Sequence, residues 1–273
     1  MTADGLPPFT DRVDGAALVR DGVVAWAEVL AEAASTMDRG RQVAADEACP
    51  LPAVVVADRQ TLGRGRRAAR WWQPPGSLAA SLVVDGDAGR LIGRPRPTWS
   101  LACGVAVAES LRHLEPGVEA VVRWPNDVEV GGRKLAGILV EAAANGRAVF
   151  GIGVNTCGSL HEAPAGLRSR LVTIPDLIGR FLPRHRLLAD LVPRLLDVLV
   201  AIHDDPAALA ERYRPLCSLT GSFVRVYHDG DARGGICRGI TADGELVLET
   251  ERGRETFRSG SLTPPGGEWR GDE

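Results

Sequence analysis

The apolar positions of the chain change their period several times, and each change marks an element. Residues 53–57 (AVVVA) are a short β-branched run, the pattern of a buried strand, and residues 77–84 (SLAASLVV) predict the next strand. From Thr98 the spacing lengthens. Leu101, Val105, Ala108, Leu111 and Leu114 recur at helical intervals, so residues 98–114 are expected to form an amphipathic helix with one core face. Strand-like segments follow at 119–124, 135–141 and 147–154, and Gly131-Gly132 stands where a two-residue hairpin turn belongs. Helical periodicity returns at 171–182 and 186–203, the second segment carrying Pro193, which must start, kink or split it. Asp205-Pro206 reads as an N-cap followed by a proline at the first helical position, with a helix running to Tyr213.

The two ends differ from this middle. Residues 1–15 are polar, acidic and rich in Pro and Gly, and predict a flexible tail before a helix starting near Ala16. Ser35 is placed to cap a helix over 37–45, with Asp38 three residues on as a capping-box partner. Beyond Cys217 the pattern turns to short alternating segments at 222–227, 234–240, 246–250 and 255–257. Asp229-Gly230, Asp243-Gly244 and Arg252-Gly253 separate them, which suggests a small barrel. The expected organisation is a tail at 1–15, an α/β domain at 16–217 with a mixed sheet flanked by helices, and a β-barrel with a polar tail at 218–273.

Composition narrows the function classes. Hydrophobic residues make up 45% and charged residues 25%, ordinary for a globular protein with a real core. The net charge of −3 provides no global field for nucleic acid or an anionic membrane, so an anion site must be a local cluster. The five cysteines are odd in number, scattered and without a CxxC pair, which argues against a zinc site or a disulfide framework and for reduced thiols in a cytoplasmic protein. The N-terminal residues lack the charged and apolar regions of a signal peptide, and no apolar run is long enough to span a bilayer.

Four motifs carry candidate chemistry. Gly63-Arg64-Gly65-Arg66-Arg67 follows a strand: its glycines allow close backbone approach, and its guanidiniums suit bidentate phosphate contacts on a loop that closes over a ligand. Taken alone it also fits a solvated basic loop. An RNA-binding patch is disfavoured by its shortness, the lack of repeats and the net charge. Arg123-Trp124-Pro125-Asn126-Asp127 closes an apolar strand with oxygens fit for a nucleotide or Mg²⁺, for which the single carboxylate of Asp127 suffices beside the phosphates; an Asn-Asp turn is the bland reading. Lys134, within Gly131-Gly-Arg-Lys-Leu-Ala-Gly-Ile-Leu-Val-Glu141, is a compact charge able to steady a carboxylate and a phosphate oxygen together, or else a surface lysine at a hairpin. Gly151-Ile-Gly-Val-Asn155 is a strand whose glycines mark close approach of a ligand or another backbone. It lacks the third glycine and the helix of a dinucleotide fingerprint.

In this order, with Ser35-Thr36 before them, Gln60 and Trp71 flanking the arginine loop, and Arg133 to Leu139 after it, these motifs resemble the biotin protein ligase family over about residues 35 to 262. The resemblance implies a class II synthetase-like α/β (α+β) catalytic domain with an SH3-like C-terminal barrel. It implies ATP-dependent activation of biotin to biotinyl-5′-AMP, followed by transfer to a lysine of a biotin carboxyl carrier domain. Biotin then falls to Ser35, Thr36, Gln60, Gly63, Arg64, Lys134 and Gly137. ATP and the adenylate fall to Arg64, Gly65, Arg66, Arg67, Trp71, Asn126, Asp127 and Asn155, with Lys134, Arg66 and Arg67 catalytic and Asp127 facing Mg²⁺.

Three positions depart from the family pattern: Arg123 replaces the usual Lys, Met37 the common Asn, and the barrel segments Cys237-Arg-Gly-Ile-Thr and Ser259-Gly-Ser-Leu match it loosely. Only 34 residues precede Ser35, too few for the winged helix-turn-helix of some members. The expectation is therefore an enzyme with no DNA or membrane partner, a monomer or weak homodimer. A lipoate or octanoate ligase or transferase of the same fold, and a non-enzymatic regulator binding nucleotide or nucleic acid through the basic loop, are the competing readings.

Overall fold

Side chains alternate between the faces of a strand, and here the alternation separates a large core from a shallower face that holds the site. In the computed structural model, which describes residues 11–74, 76–86, 96–228 and 230–262, the chain runs α1 (Gly15–Arg20), β1 (Trp26–Ala33), α2 (Thr36–Ala45), β2 (Ala53–Gln60), β3 (Leu78–Val84), α3 (Pro97–Leu114), β4 (Val121–Arg123), β5 (Asp127–Val130), β6 (Arg133–Ala142), β7 (Ala148–Val154), α4 (Ile174–Ile178), α5 (Arg184–Asp204), α6 (Ala207–Tyr213), β8 (Phe223–His228), β9 (Asp231–Ile240), β10 (Leu246–Thr250), β11 (Gly253–Phe257) and β12 (Ser261–Leu262). The seven-stranded sheet has the order β1-β2-β3-β7-β6-β5-β4. Only β1 and β2 run parallel.

On β7, Ala148, Phe150, Ile152 and Val154 join the main core under α3 and α5, whereas Val149 joins a smaller cluster with Met37, Val43 and Ala44 of α2. The expected core positions of α3, Leu101 to Leu114, are all buried. Helix α5 continues through Pro193. Five strands in the order β11-β10-β9-β8-β12 form the C-terminal sheet. Its Val226, Cys237, Leu246 and Leu248 belong to the same main core. The Trp124 indole N–H donates to the Gly244 carbonyl at 3.1 Å, and a Cβ on Gly244 would come within 2.9 Å of the Thr98 nitrogen, so the C-terminal sheet is seated on the start of α3.

Four expectations change. Strand β1 was not anticipated; its run WAEVLAEA mixes helix-forming residues and acquires strand geometry from pairing with β2. The helix expected at 171–182 shrinks to α4, because Leu171 bridges to Lys134 and the Val172 N–H donates to the Lys134 carbonyl; Thr173 then caps the helix and Gly179 ends it at φ +74°. Ser35 does cap α2, accepting from the Met37 N–H, but the carboxylate of Asp38 turns to Arg41 and Arg64 instead of closing a capping box. Of the expected tail, residues 1–10 lie outside the described residues, as do Asp229 and residues 263–273. Residues 11–14 are held: Asp14 caps α1, and Asp11 is buried against Arg184.

Arg184 starts α5 and is 1% exposed; its Nε reaches Asp11 at 3.1 Å and its Nη1 reaches Asp58 at 2.7 Å. Removing one partner of such a buried pair leaves charge without compensation. Asp11→Ala is therefore expected to lower the unfolding free energy by about 3 kcal/mol, the low end for a broken buried pair because Asp58 remains. Urea denaturation would measure it, and a loss under about 1 kcal/mol, the scale of a surface pair, would contradict the assignment.

Candidate active site

The sheet face under α2 becomes hollow where its outward positions carry little side chain. Strand register aligns Ala79 of β3, Gly153 of β7, Gly137 of β6 and Asp127 of β5 in one row across four strands, and Ser81, Gly151 and Leu139 in the next. The result is a cavity of ≈ 220 Å³, walled by the start of α2, the end of β2, the arginine loop with Trp71, and the Asn126-Asp127 and Lys134 strand ends. The glycines are required by contact. A Cβ on Gly153 would lie 2.6 Å from the Trp71 ring, one on Gly137 2.9 Å from it, and one on Gly151 2.6 Å from the Met37 sulfur.

One end of the cavity is a compact set of neutral hydrogen-bonding groups. Gln60 Oε1 accepts from the Thr36 N–H at 2.8 Å and from the Thr36 hydroxyl at 3.1 Å, and the Ser81 hydroxyl donates to Thr36 Oγ1 at 2.9 Å. With Met37 alongside, this is a mainly apolar recess with a few fixed polar atoms, the character of a small-molecule site.

The other end is ionic. Lys134 Nζ pairs with Asp127 at 2.6 Å and stands 5.4 Å from the centroid of the Trp71 ring. Its aim comes from a bulge. Val128 faces Ala136 but Glu129 faces Lys134, so Leu135 is an extra residue on β6 and the alternation inverts there, turning Lys134 to the face of Gly137. Arg66 Nη1 donates to Asn126 Oδ1 at 3.1 Å, while Asn126 Nδ2 holds the Ile138 carbonyl at 2.9 Å. Burial, then the neighbouring charge of Arg67, pushes the Arg66 pKa below the usual arginine value, and the negative charge of Asp127 offsets this only in part. Arg64 pairs with Asp38, which Arg41 shares. Arg67 has a left-handed backbone (φ +53°) and its guanidinium contacts the Ser261 hydroxyl of β12.

The cavity thus brings together Ser35, Thr36, Gln60, Arg64, Gly65, Arg66, Trp71, Asn126, Asp127, Lys134 and Gly137. Three expected residues are not on its wall. Gly63 is buried in the base of the loop, where a Cβ would lie 3.0 Å from the Trp71 carbonyl. Arg67 points to the C-terminal sheet. Asn155 is fully buried; its Nδ2 donates to the Val172 carbonyl at 2.9 Å and so braces the segment that pairs with Lys134. Arg123 lies 3.7 Å from Glu129, whose pKa burial raises and Arg123 lowers, so its charge is answered by a carboxylate. The sequence reading missed Asp38 as the partner of Arg64 and Ser81 as the partner of Thr36. For Asp38 the visible signal, an acid three residues after Ser35, pointed to capping.

Residues 35–155 match the Biotin/lipoate A/B protein ligase family. The chain is 33% identical over 205 residues to a biotin–[acetyl-CoA-carboxylase] ligase of Mycobacterium tuberculosis, covering 72% of this chain and 73% of that one. It is 30% identical over 224 residues to the bifunctional ligase/repressor BirA of Escherichia coli, covering 79% and 65%. Among solved structures, the biotin protein ligase of Aquifex aeolicus in complex with biotin and ATP superposes with a TM-score of 0.73 at 23% identity, over 87% of this chain and 96% of that one, and shares the fold.

Proposed function

Since the chain belongs to the biotin protein ligases of the Biotin/lipoate A/B family, we infer that its cavity seats biotin at the Thr36–Gln60 end and the nucleotide at the Lys134–Arg66 end. The chain is an ATP-dependent biotin–protein ligase, and the names of its relatives favour biotin over lipoate. The observation that carries the assignment is the placement of Lys134, Gln60 and Arg66 around one cavity.

The reaction has two steps. A biotin carboxylate oxygen attacks the α-phosphorus of ATP and pyrophosphate leaves; then the amine of an acceptor lysine attacks the biotinyl carbonyl and AMP leaves. Ser35, Thr36, Gln60 and Arg64 border the end that takes the ureido ring and tail. Lys134 lies where a carboxylate and an α-phosphate meet, stabilising negative charge as the anhydride forms. Arg66 and Asn126 border the nucleotide side, and Arg67 ties the loop to β12 of the C-terminal sheet. Positioning and charge stabilisation are the protein's whole contribution, so no side-chain nucleophile is needed. Among the described residues no cluster of carboxylates, histidines or cysteines could hold a metal by itself. Asp127, already paired with Lys134, fits an ion that arrives with ATP and is held largely by its phosphates. The reading includes a biotin carboxyl carrier domain as acceptor, a monomer or weak homodimer, and no DNA-binding role. It also includes a cytoplasmic location, supported by five free cysteines; among the described residues no helix is long and apolar enough to cross a membrane.

The direct test is transfer from ATP and biotin to a purified biotin carboxyl carrier domain, read by mass spectrometry. One biotin per acceptor is expected; pyrophosphate release with lipoate but not biotin would overturn the assignment. Arg66→Ala should speed escape of biotinyl-AMP in a single-turnover release assay by about tenfold, the loss of one charge-assisted contact, and Arg67→Ala should do so less. Unchanged release in both variants would remove the loop from adenylate retention.

A further inference from the structure

Resting on that reading, we propose that Gln73 is a positioning residue: its side-chain amide replaces a missing strand and clamps both ends of the arginine loop. Strands β2 and β3 pair only as far as Val56 and Ala80, after which they separate to admit the arginine loop. The polar groups of Asp58 and Gln60 still face the gap, since the intervening residues face β1: Arg59 is paired with Glu32, and the Thr61 N–H donates to the Ala33 carbonyl. The Gln73 amide fills this gap. Its Oε1 accepts from the Gln60 N–H at 2.9 Å, and its Nε2 donates to the Asp58 carbonyl at 3.1 Å and to the Ser77 carbonyl at 3.0 Å. One acceptor and two donors are thereby used in the directions a neighbouring peptide would have offered.

The clamp sits between two supports. Behind it, Asp58 is held by the buried Arg184. In front, the Gln60 side chain holds Thr36 at the biotin end, and the loop closes on itself through Trp71 N–H to Gly63 O at 2.9 Å and Gly65 N–H to Ala69 O at 2.7 Å. Gln73 therefore sets the position of Gln60 and the base of the loop while not itself lining the cavity. Releasing it leaves three backbone groups without their partner and lets the loop open more often.

Limited trypsin digestion of the full, ligand-free chain tests this without relying on biotin chemistry, because Arg64, Arg66, Arg67 and Arg70 lie on the loop. Cleavage there reports the population of the open loop. Gln73→Met, similar in length but unable to make the bonds, is expected to speed loop cleavage about tenfold with the melting temperature nearly unchanged. It should also raise the KM for biotin and the escape rate of biotinyl-AMP several-fold while leaving kcat at saturation within about threefold. Equal cleavage and equal escape would overturn the proposal. Gln73→Glu keeps the acceptor for Gln60 but, once ionised, repels two carbonyls, so its excess cleavage over the parent should grow between about pH 6 and pH 8. Should the Met variant fail to fold, parent-like cleavage of the Glu variant across that range would overturn the proposal by itself. If the chain proved not to act on biotin, the adenylate measurements would fail in the parent too, whereas the digestion result would still stand.

Discussion

Lys134→Ala should lower the rate of biotinyl-adenylate formation about a thousandfold, the upper range for one charge-stabilising donor. Two effects combine. The variant loses the ammonium at the point where carboxylate and phosphate meet, and it leaves Asp127, otherwise 2.6 Å from Nζ, as an unanswered negative charge facing an incoming triphosphate. Because the two side chains are in contact, the double variant should lose less activity than the two single effects combined predict. Stability should fall by about 1–3 kcal/mol, between a surface pair and a fully buried one, since both side chains are only 27% exposed. Biotin-dependent pyrophosphate release in a single turnover, with melting temperature alongside, reads both quantities. Adenylation within tenfold of the parent rate would dismiss Lys134 from the chemistry.

The second large effect is expected from a single carbon. Gly153→Ala places a methyl group 2.6 Å from two atoms of the Trp71 ring, closer than carbon atoms pack, and the ring is too rigid to yield by a small rotation. Trp71 must then move toward the cavity, disturbing the indole beside Lys134 and the base of the arginine loop. Overpacking of this kind costs about 1–3 kcal/mol. A shift of about 1 Å in a reacting geometry can cost a hundredfold, so a loss of about 100-fold in kcat/KM for adenylation is expected. Combining it with Trp71→Leu, which removes the clash, should restore melting temperature more than activity; no recovery of either would show that the clash is not the cause. Gly151→Ala makes an equally short contact, but with the sulfur of the flexible Met37, and should be the milder change.

Much of this architecture was legible because it is written in local periodicity. Helix α3 could be read from five apolar residues at helical spacing, and the β5–β6 hairpin from Gly131-Gly132, whose φ values of +57° and +73° few other residues adopt. The glycines at 151 and 153 signalled close approach, but not what approaches; that depends on Trp71 and Met37 arriving from distant segments. The remaining features are contacts between parts far apart in the chain. Asp11 meets Arg184 across 173 positions and Arg67 meets Ser261 across 194, and neither pairing leaves a trace in spacing. Strand β1 carries alanines and glutamates that suit a helix, and only the neighbouring β2 makes it extended. Asn155 was recognisable as part of a motif, yet its burial, and hence its supporting role, depended on where Val172 came to lie.

The ion pair of Lys134 and Asp127 bears on how this enzyme survives its own reagent. A mixed anhydride of biotin acylates amines indiscriminately once it drifts into solution, and Lys134 is the only lysine in the 273 residues, the remaining basic side chains being arginines and histidines. The one ε-amine that the chain exposes to the activated acid is held by a carboxylate, while every guanidinium around the cavity is a poor nucleophile. Stray label should therefore accumulate on the lysines of neighbouring proteins, leaving the catalyst's own side chains unmarked through many turnovers.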